Sequence, residues 1–118
     1  MTLGDKVHCK GYLTKTKNFF STLNISGHTE CFLFEDGKSK GIEEDTYTDL
    51  YQIKQAEFDG IYVGKKEIGT RLNAVYEESD VFTGWRFFKD KPETMAIIYY
   101  RNNRHRLVPI DMITGYVG

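Results

Sequence analysis

The C-terminal stretch reads Arg104-His-Arg-Leu-Val-Pro-Ile-Asp-Met-Ile-Thr-Gly-Tyr-Val-Gly118, and it decides the fold that the sequence predicts. Its apolar pair Leu107-Val108 leads into Pro109, whose fixed φ suits the first position of a tight turn. The spacing of the apolar residues in Ile110-Asp-Met-Ile113 predicts one 3₁₀ turn that buries them. A last short strand then runs to Val117.

Length and composition are those of one soluble globular domain. The chain has 118 residues, of which 40% are hydrophobic and 28% are charged, which argues against wholesale disorder. The formal net charge of -1 gives no global electrostatic reason to bind nucleic acid or an anionic membrane. Eight Tyr, eight Phe and only two Pro suit β-strands, where flat aromatic rings pack well on a pleated surface.

The expected location is the cytoplasm of a cell that keeps thiols reduced. No segment approaches the ~20 consecutive apolar residues of a membrane helix, and Met1–Lys6 has no signal-peptide core. Cys9 and Cys31 are then expected to be free thiols.

Alternation of apolar and polar residues predicts antiparallel strands along most of the chain. The strongest is Met95–Tyr100, whose nearly continuous apolar character indicates a central position. Asn102-Asn103 predicts a tight hairpin after it, because Asn tolerates positive φ. Lys65-Lys-Glu67 is interpreted as a turn, and the polar segment Lys38–Asp49 as a short helix or an ordered excursion.

Two surface segments are candidate binding sites. The first is acidic, and carboxylates along a rigid surface can occupy a partner's phosphate-binding groove. The second joins arginine to aromatic rings, which suits phosphate contacts with base stacking, or a protein–protein hot spot. Ordinary solvated loops have the same compositions. The acidic candidates are Glu43, Glu44, Asp45, Tyr47 and Asp49, and the alternative nucleic-acid or partner-binding candidates are Tyr99, Tyr100, Arg101, Arg104, Arg106 and Trp85.

Catalytic, metal and cofactor motifs are not found in the sequence. There is no Gly-x-Ser-x-Gly elbow, P-loop or dinucleotide fingerprint. His8 and Cys9 are adjacent, so on a strand they point to opposite faces and cannot easily share one zinc ion. We therefore expect no catalytic residues, no metal, no cofactor and no enzymatic activity.

Part of the chain resembles an SH3-like barrel. The resemblance is carried by Phe58-x-Gly-Ile-Tyr-Val-Gly64, the hairpin of Met95–Tyr100 with His105–Val108, Leu107–Ile113, and the opening Gly4-Asp-Lys-Val7. It implies a mainly β, antiparallel barrel with loop and short-helix elaborations in its N-terminal half. One domain would span residues 1–118, with 58–118 closing the barrel and 1–57 supplying the N-terminal strands and the excursion. The entry motif of peptide-binding SH3 domains is missing, so recognition of proline-rich peptides is not implied.

In size and style the chain also resembles small accessory proteins of phages and prophages of Gram-positive bacteria, among them anti-CRISPR and other anti-defence proteins. This resemblance implies a non-enzymatic inhibitor that occupies the surface of a host nucleic-acid-handling protein, such as a CRISPR nuclease, in the bacterial cytoplasm. The alternatives are a direct nucleic-acid-binding SH3-like module and a phage head–tail component. The high aromatic content leaves room for a homodimer.

Overall fold

The computed structural model describes residues 1–78 and 83–116, and over these residues the protein is mainly β-structure. The strands are β1 (Lys6–Lys15), β2 (Phe19–Ile25), β3 (His28–Glu35), β4 (Lys38–Gly41), β5 (Thr46–Asp49), β6 (Tyr51–Ile68), β7 (Arg71–Glu78), β8 (Thr83–Lys89), β9 (Glu93–Arg101), β10 (Arg104–Pro109) and β11 (Ile113–Tyr116). One 3₁₀ turn, Ile110–Met112, lies between β10 and β11.

The expected helical elaboration is wrong for the described residues, which contain no α-helix. The segment Lys38–Asp49 instead forms β4, β5 and the turn between them. All four residues of β4 are exposed. This strand therefore has no alternation of apolar and polar side chains by which the sequence could indicate it.

The chain divides into two compact units that are not consecutive in sequence. Unit 1 comprises Met1–Thr14, Tyr51–Ile68 and Pro92–Gly118, and unit 2 comprises Lys15–Leu50 and Gly69–Lys91. Each unit is built from its own sheets.

Unit 1 is one antiparallel sheet in the order β10-β9-β6-β1-β11. The last strand pairs with the first, with Val7 opposite Tyr116 and Cys9 opposite Ile113. The predicted 3₁₀ turn and final strand are therefore confirmed as far as Tyr116, while Val117 lies outside the described residues. Ile110 is exposed, so the turn does not bury all of its apolar residues as expected. The strand order is open, with β10 and β11 at its two edges.

The core of unit 1 forms on one face of this sheet. Its buried side chains come from four different strands and include Val7, Tyr62, Ile98 and Val108. The strand predicted to be central, β9, lies between β10 and β6, which confirms that prediction.

The predicted turn at Lys65–Glu67 is wrong, because these residues belong to β6, an 18-residue strand that ends only at Ile68. The strand instead takes up an irregularity at Gly64, where φ is +154° and the register against β9 shifts by one residue. A bulge of this kind re-aims a strand without ending it. Lys65 and Lys66 then occupy ladder positions opposite Ala96 and Met95.

Gly60 of β6 lies very close to the neighbouring strand β9 and has no room for a side chain. A Cβ atom built there would collide with the Ile98 side chain and lie 2.7 Å from the Tyr99 carbonyl oxygen. Both neighbours belong to the adjacent strand β9, and Ile98 is fully buried, so neither can easily move away.

We expect Gly60→Ala to lower the free energy of unfolding by about 2–3 kcal/mol through overpacking. The matched control is Gly41→Ala on β4, where a Cβ would meet nothing within 4 Å; its effect should stay within about 0.5 kcal/mol. Urea denaturation followed by circular dichroism measures both. Equal stability of the two variants would contradict the packing described for Gly60.

Unit 2 contains two three-stranded sheets, β2-β3-β4 and β5-β7-β8. β3 packs against β8, and the indole N–H of Trp85 donates a 3.1 Å hydrogen bond to the Thr29 carbonyl oxygen. The Phe20 and Phe87 rings stack with their centroids 5.5 Å apart. Leu33 and Ala74 are buried, one from each sheet.

Thr48 is a polar residue in the interior of unit 2. It is 2% exposed, and its hydroxyl has no hydrogen-bond partner among residues 1–78 and 83–116. The neighbouring Thr46 differs, since its hydroxyl donates a 2.7 Å hydrogen bond to the Glu43 carbonyl oxygen. An unsatisfied buried hydroxyl costs free energy that an apolar group of similar shape avoids.

Thr48→Val is expected to stabilise the protein by about 1 kcal/mol, which corresponds to a rise in melting temperature of roughly 3–6 °C. Thr46→Val serves as the control and should lower the melting temperature, because it removes a satisfied hydrogen bond. Differential scanning calorimetry resolves the two directions. A loss of stability in Thr48→Val would mean that its hydroxyl has a partner after all.

Candidate partner-binding surfaces

The acidic turn, Glu43–Asp45, connects β4 to β5 and has a fixed backbone. The Asp45 N–H donates a 3.0 Å hydrogen bond to the Ala74 carbonyl oxygen of β7, and Thr46 closes the turn onto the Glu43 carbonyl. Asp45 has a φ of 61°, a conformation that Asp and Asn tolerate better than most residues. The three carboxylates are therefore presented from an ordered turn.

These carboxylates are exposed and have no cationic partner among the described residues. The same holds for Asp49, whose side chain is exposed while its carbonyl oxygen accepts hydrogen bonds from the Thr16 hydroxyl and the Asn18 amide. The backbone is thus anchored and the negative charge is left for solvent or a partner. Complementary charge on a partner would steer association toward this turn.

Tyr47 lies on the outer face of β5 and is 49% exposed. The Arg71 guanidinium lies 5.4 Å from the centre of its ring and is also hydrogen-bonded to Asp90. The Tyr47 position pairs with Asn73 of β7, which pairs with Phe88 of β8, so these three side chains share one face.

Phe88 and Arg71 extend this site beyond the residues predicted from sequence. Phe88 is 48% exposed. An exposed Tyr, an exposed Phe and an Arg beside an unpaired acidic turn have the composition of protein–protein contact surfaces. The missed residues lie on β7 and β8, and only the pairing register of the three strands brings them beside Tyr47.

The hairpin of β9 and β10 brings together most of the arginine and tyrosine candidates. Arg101 pairs with Arg104 at its end, and Asn103 has a φ of 58°, which confirms the predicted turn. An open cleft of about 640 Å³ lies beside this turn. It is lined by Lys6, Asp59, Tyr99, Tyr100, Arg101 and the two Asn residues of the turn, among others.

Arg106 is held in an aromatic box on the core face of unit 1. Its guanidinium carbon lies 3.9 Å from the ring centre of Tyr12, 4.0 Å from that of Tyr100 and 4.7 Å from that of Phe58. Such cation–π contacts stabilise a partly buried Arg without a carboxylate. Because protein rings already cover its guanidinium, Arg106 is placed to stabilise the hairpin, whereas Arg101 and Arg104 are exposed.

The other two aromatic candidates, Tyr99 and Trp85, belong to different units. Tyr99 is exposed and stacks on His105, with ring centroids 5.8 Å apart. Trp85 belongs to unit 2, where it packs edge-on against Tyr76 at 5.3 Å and donates to the Thr29 carbonyl.

His8 joins β1 to two carboxylates of β6. Its Nδ1 lies 2.6 Å from an Asp59 carboxylate oxygen, and its Nε2 lies 3.4 Å from one of Glu57. These hydrogen bonds, the one to Asp59 first, raise the pKa of His8 above its ordinary value. The imidazolium form therefore contributes to stability at low pH, and this contribution is lost as pH rises through the raised pKa.

We expect the His8 ring to titrate above about 6.5, the ordinary value, in a proton NMR titration. Asp59→Asn should lower that pKa, and Glu57→Gln should lower it less. Asp59→Asn should also destabilise the protein at pH 5.5 more than at pH 8. A His8 titration that Asp59→Asn leaves unchanged would contradict the hydrogen bond between them.

Both cysteines are free, as predicted from the sequence, and both are buried. Burial raises the pKa of the Cys9 thiol to about 11 and also raises that of Cys31. Thiolates are the nucleophilic form, so both groups are held in their unreactive form at neutral pH.

Within residues 1–78 and 83–116, no cluster of three or more His, Cys, Asp or Glu side chains could hold a metal ion. No helix in that part of the chain has the length and apolarity needed to cross a membrane. No protein family, curated protein or solved structure matches the chain. Its function therefore has to be inferred from its own surfaces.

Proposed function

We propose that the chain is a non-enzymatic binding protein that inhibits or modulates a larger nucleic-acid-handling protein. The acidic turn and the adjacent Tyr47 face would occupy a basic groove of that partner and exclude its nucleic acid. A phage-encoded inhibitor of a host CRISPR nuclease or other defence protein, acting in the bacterial cytoplasm, is the form of this function that we favour.

One observation carries the proposal, namely an ordered acidic turn that has no cationic partner in the part of the chain that the structure describes. A flexible acidic loop would lose conformational entropy on binding, whereas the Asp45 and Thr46 hydrogen bonds have already fixed this one. Grooves that bind phosphate are lined with Lys and Arg. Carboxylates at Glu43, Glu44, Asp45 and Asp49 supply the charge that such a groove attracts.

A second candidate function is direct binding of single-stranded nucleic acid at the β9–β10 hairpin. The cleft beside the turn supports it, because Lys6 and Arg101 line the cleft together with Tyr99 and Tyr100. Cations that follow a backbone and rings that stack on bases are the usual elements of such sites. The negative charge of Asp59 in the same cleft would repel a phosphate, so we place this function second.

We further propose that unit 1 is an SH3-like barrel. Support comes from the strand, 3₁₀ turn and last strand at β10–β11, and from the pairing of that last strand with β1. In this proposal the two segments of unit 2 are insertions into the sequence of the barrel, one after Thr14 and one after Ile68.

Capture of partners from a bacterial lysate with tagged protein tests the two functions together. The acidic-turn variant is Glu43→Lys, Glu44→Lys and Asp45→Asn; Asn is chosen because it tolerates the positive φ of Asp45. The matched control, with the same change in net charge, is Glu35→Lys, Glu67→Lys and Glu78→Gln, all exposed positions outside the turn. A hairpin variant carries Arg101→Glu and Arg104→Glu.

From nuclease-treated lysate we expect one stoichiometric nucleic-acid-handling protein, identified by mass spectrometry and then purified for a binding titration. The acidic-turn variant should weaken its affinity roughly a hundredfold, since like charges at an interface cost several kcal/mol. The control and hairpin variants should bind as the wild type does. Capture of nucleic acid alone from untreated lysate, lost in the hairpin variant and falling steeply with salt, would refute the inhibitor proposal and support the second function.

A further inference from the structure

β2 is an edge strand that lacks the features by which proteins usually protect an edge. Among the described strands it has a neighbour on one side only, since the sheet order is β2-β3-β4. Its sequence, Phe19-Phe-Ser-Thr-Leu-Asn-Ile25, contains no charged residue and no Pro. Exposed edges are normally blocked by Lys, Pro, bulges or short length. The opposite edge, β4, follows that rule with Lys38 and Lys40 on a strand of four residues.

The free side of β2 is exposed and partly apolar. Residues 22–25 are all exposed, with Leu23 at 56%, and Phe19 is 51% exposed. Phe19 stacks on Phe34 of β3 at 4.8 Å, so the outer face of the sheet has an apolar row rather than isolated side chains. An unpaired edge next to an apolar face is a template for another strand.

The charge distribution favours a second copy of the same strand as the occupant. In a two-fold contact a strand pairs with its own copy, so a strand whose charged side chains are all of one sign would bring like charges together. Among the other described edge strands, β4, β5, β8 and β10 carry charged side chains, and β11 has only four residues. β2, with seven uncharged residues, can meet itself without repulsion.

We propose that the protein forms a weak homodimer in which β2 pairs antiparallel with β2 of a second copy, centred on Thr22. This register places Thr22 opposite its equivalent, Phe19 opposite Ile25, and Ser21 opposite Leu23. Every pair keeps residues of the same face together: Phe19, Ser21, Leu23 and Ile25 meet on the outer face, and Thr22 meets its equivalent on the other face, because the side chains alternate along the strand. The two β2-β3-β4 sheets then become one continuous sheet. This inference does not depend on the proposed function.

A contact made mainly by one strand is smaller than the ~800 Å² per partner of a standard interface, so the dimer should dissociate on dilution. Sedimentation velocity of the full chain over roughly 1–500 µM measures this, a range that brackets weak association. We expect a monomer at the low end and a dimer at the high end. A monomer throughout, or a ring-sized species such as a head–tail component would form, overturns the proposal.

Two opposite charges at Thr22 test the register. Thr22→Lys and Thr22→Glu should each weaken the dimer about fivefold or more, because like charges meet directly across the new strand pair. An equal mixture should restore dimerisation, which also shows that both variants are folded. Ser39→Lys on β4 should leave it unchanged. Failure of either Thr22 variant to weaken the dimer, or of the mixture to restore it, refutes the pairing at β2.

Asn24 supplies the control for position along the strand. In the proposed register the two Asn24 residues lie four residues apart along the pair, about 13 Å. Mixing Asn24→Lys with Asn24→Glu should therefore restore dimerisation far less than mixing the two Thr22 variants does. Equal restoration would exclude a two-fold axis at Thr22.

Discussion

The pairing of β1 with β11 is the contact on which unit 1 depends. It joins residues 7–9 to residues 113–116, two segments near opposite ends of the sequence. Non-local pairing of this kind costs chain entropy, and the buried side chains Val7, Cys9 and Val108 offset it on the same sheet. The chain leaves unit 1 after Thr14 and after Ile68, and these residues belong to β1 and β6, two neighbouring strands in the interior of the sheet.

The two groups of charged residues have different structural roles. Arg106 stabilises its hairpin, because three aromatic rings lie against its guanidinium group. The acidic turn contributes no ion pair to the described fold, although hydrogen bonds fix its backbone. Charged side chains that form no ion pair within the fold, on a backbone that hydrogen bonds hold in one conformation, are expected of a contact surface. This difference is the reason that we place partner binding at the acidic turn.

Sequence patterns identified the elements that depend on local chemistry. The β9–β10 hairpin followed from Asn102-Asn103 and an apolar run, and the 3₁₀ turn followed from Pro109. Patterns failed where tertiary pairing overrides local preference. Lys65–Glu67 looked like a turn because the residues are charged, yet the ladder with β9 keeps them extended. Tyr12 and Phe58 beside Arg106, and Arg71 beside Tyr47, come from distant strands whose register no local pattern specifies.

In the function that we propose, basic ligands contact the acidic turn and the hairpin cleft does not bind nucleic acid. Amide NMR of the isotope-labelled protein tests it directly, with an arginine-rich peptide and a single-stranded oligonucleotide titrated separately at physiological salt. We expect the peptide to shift the resonances of residues 43–49 and the oligonucleotide to leave those of Lys6 and Tyr99–Arg104 unmoved. Saturable oligonucleotide shifts at the hairpin, with none at the acidic turn on adding peptide, would contradict it.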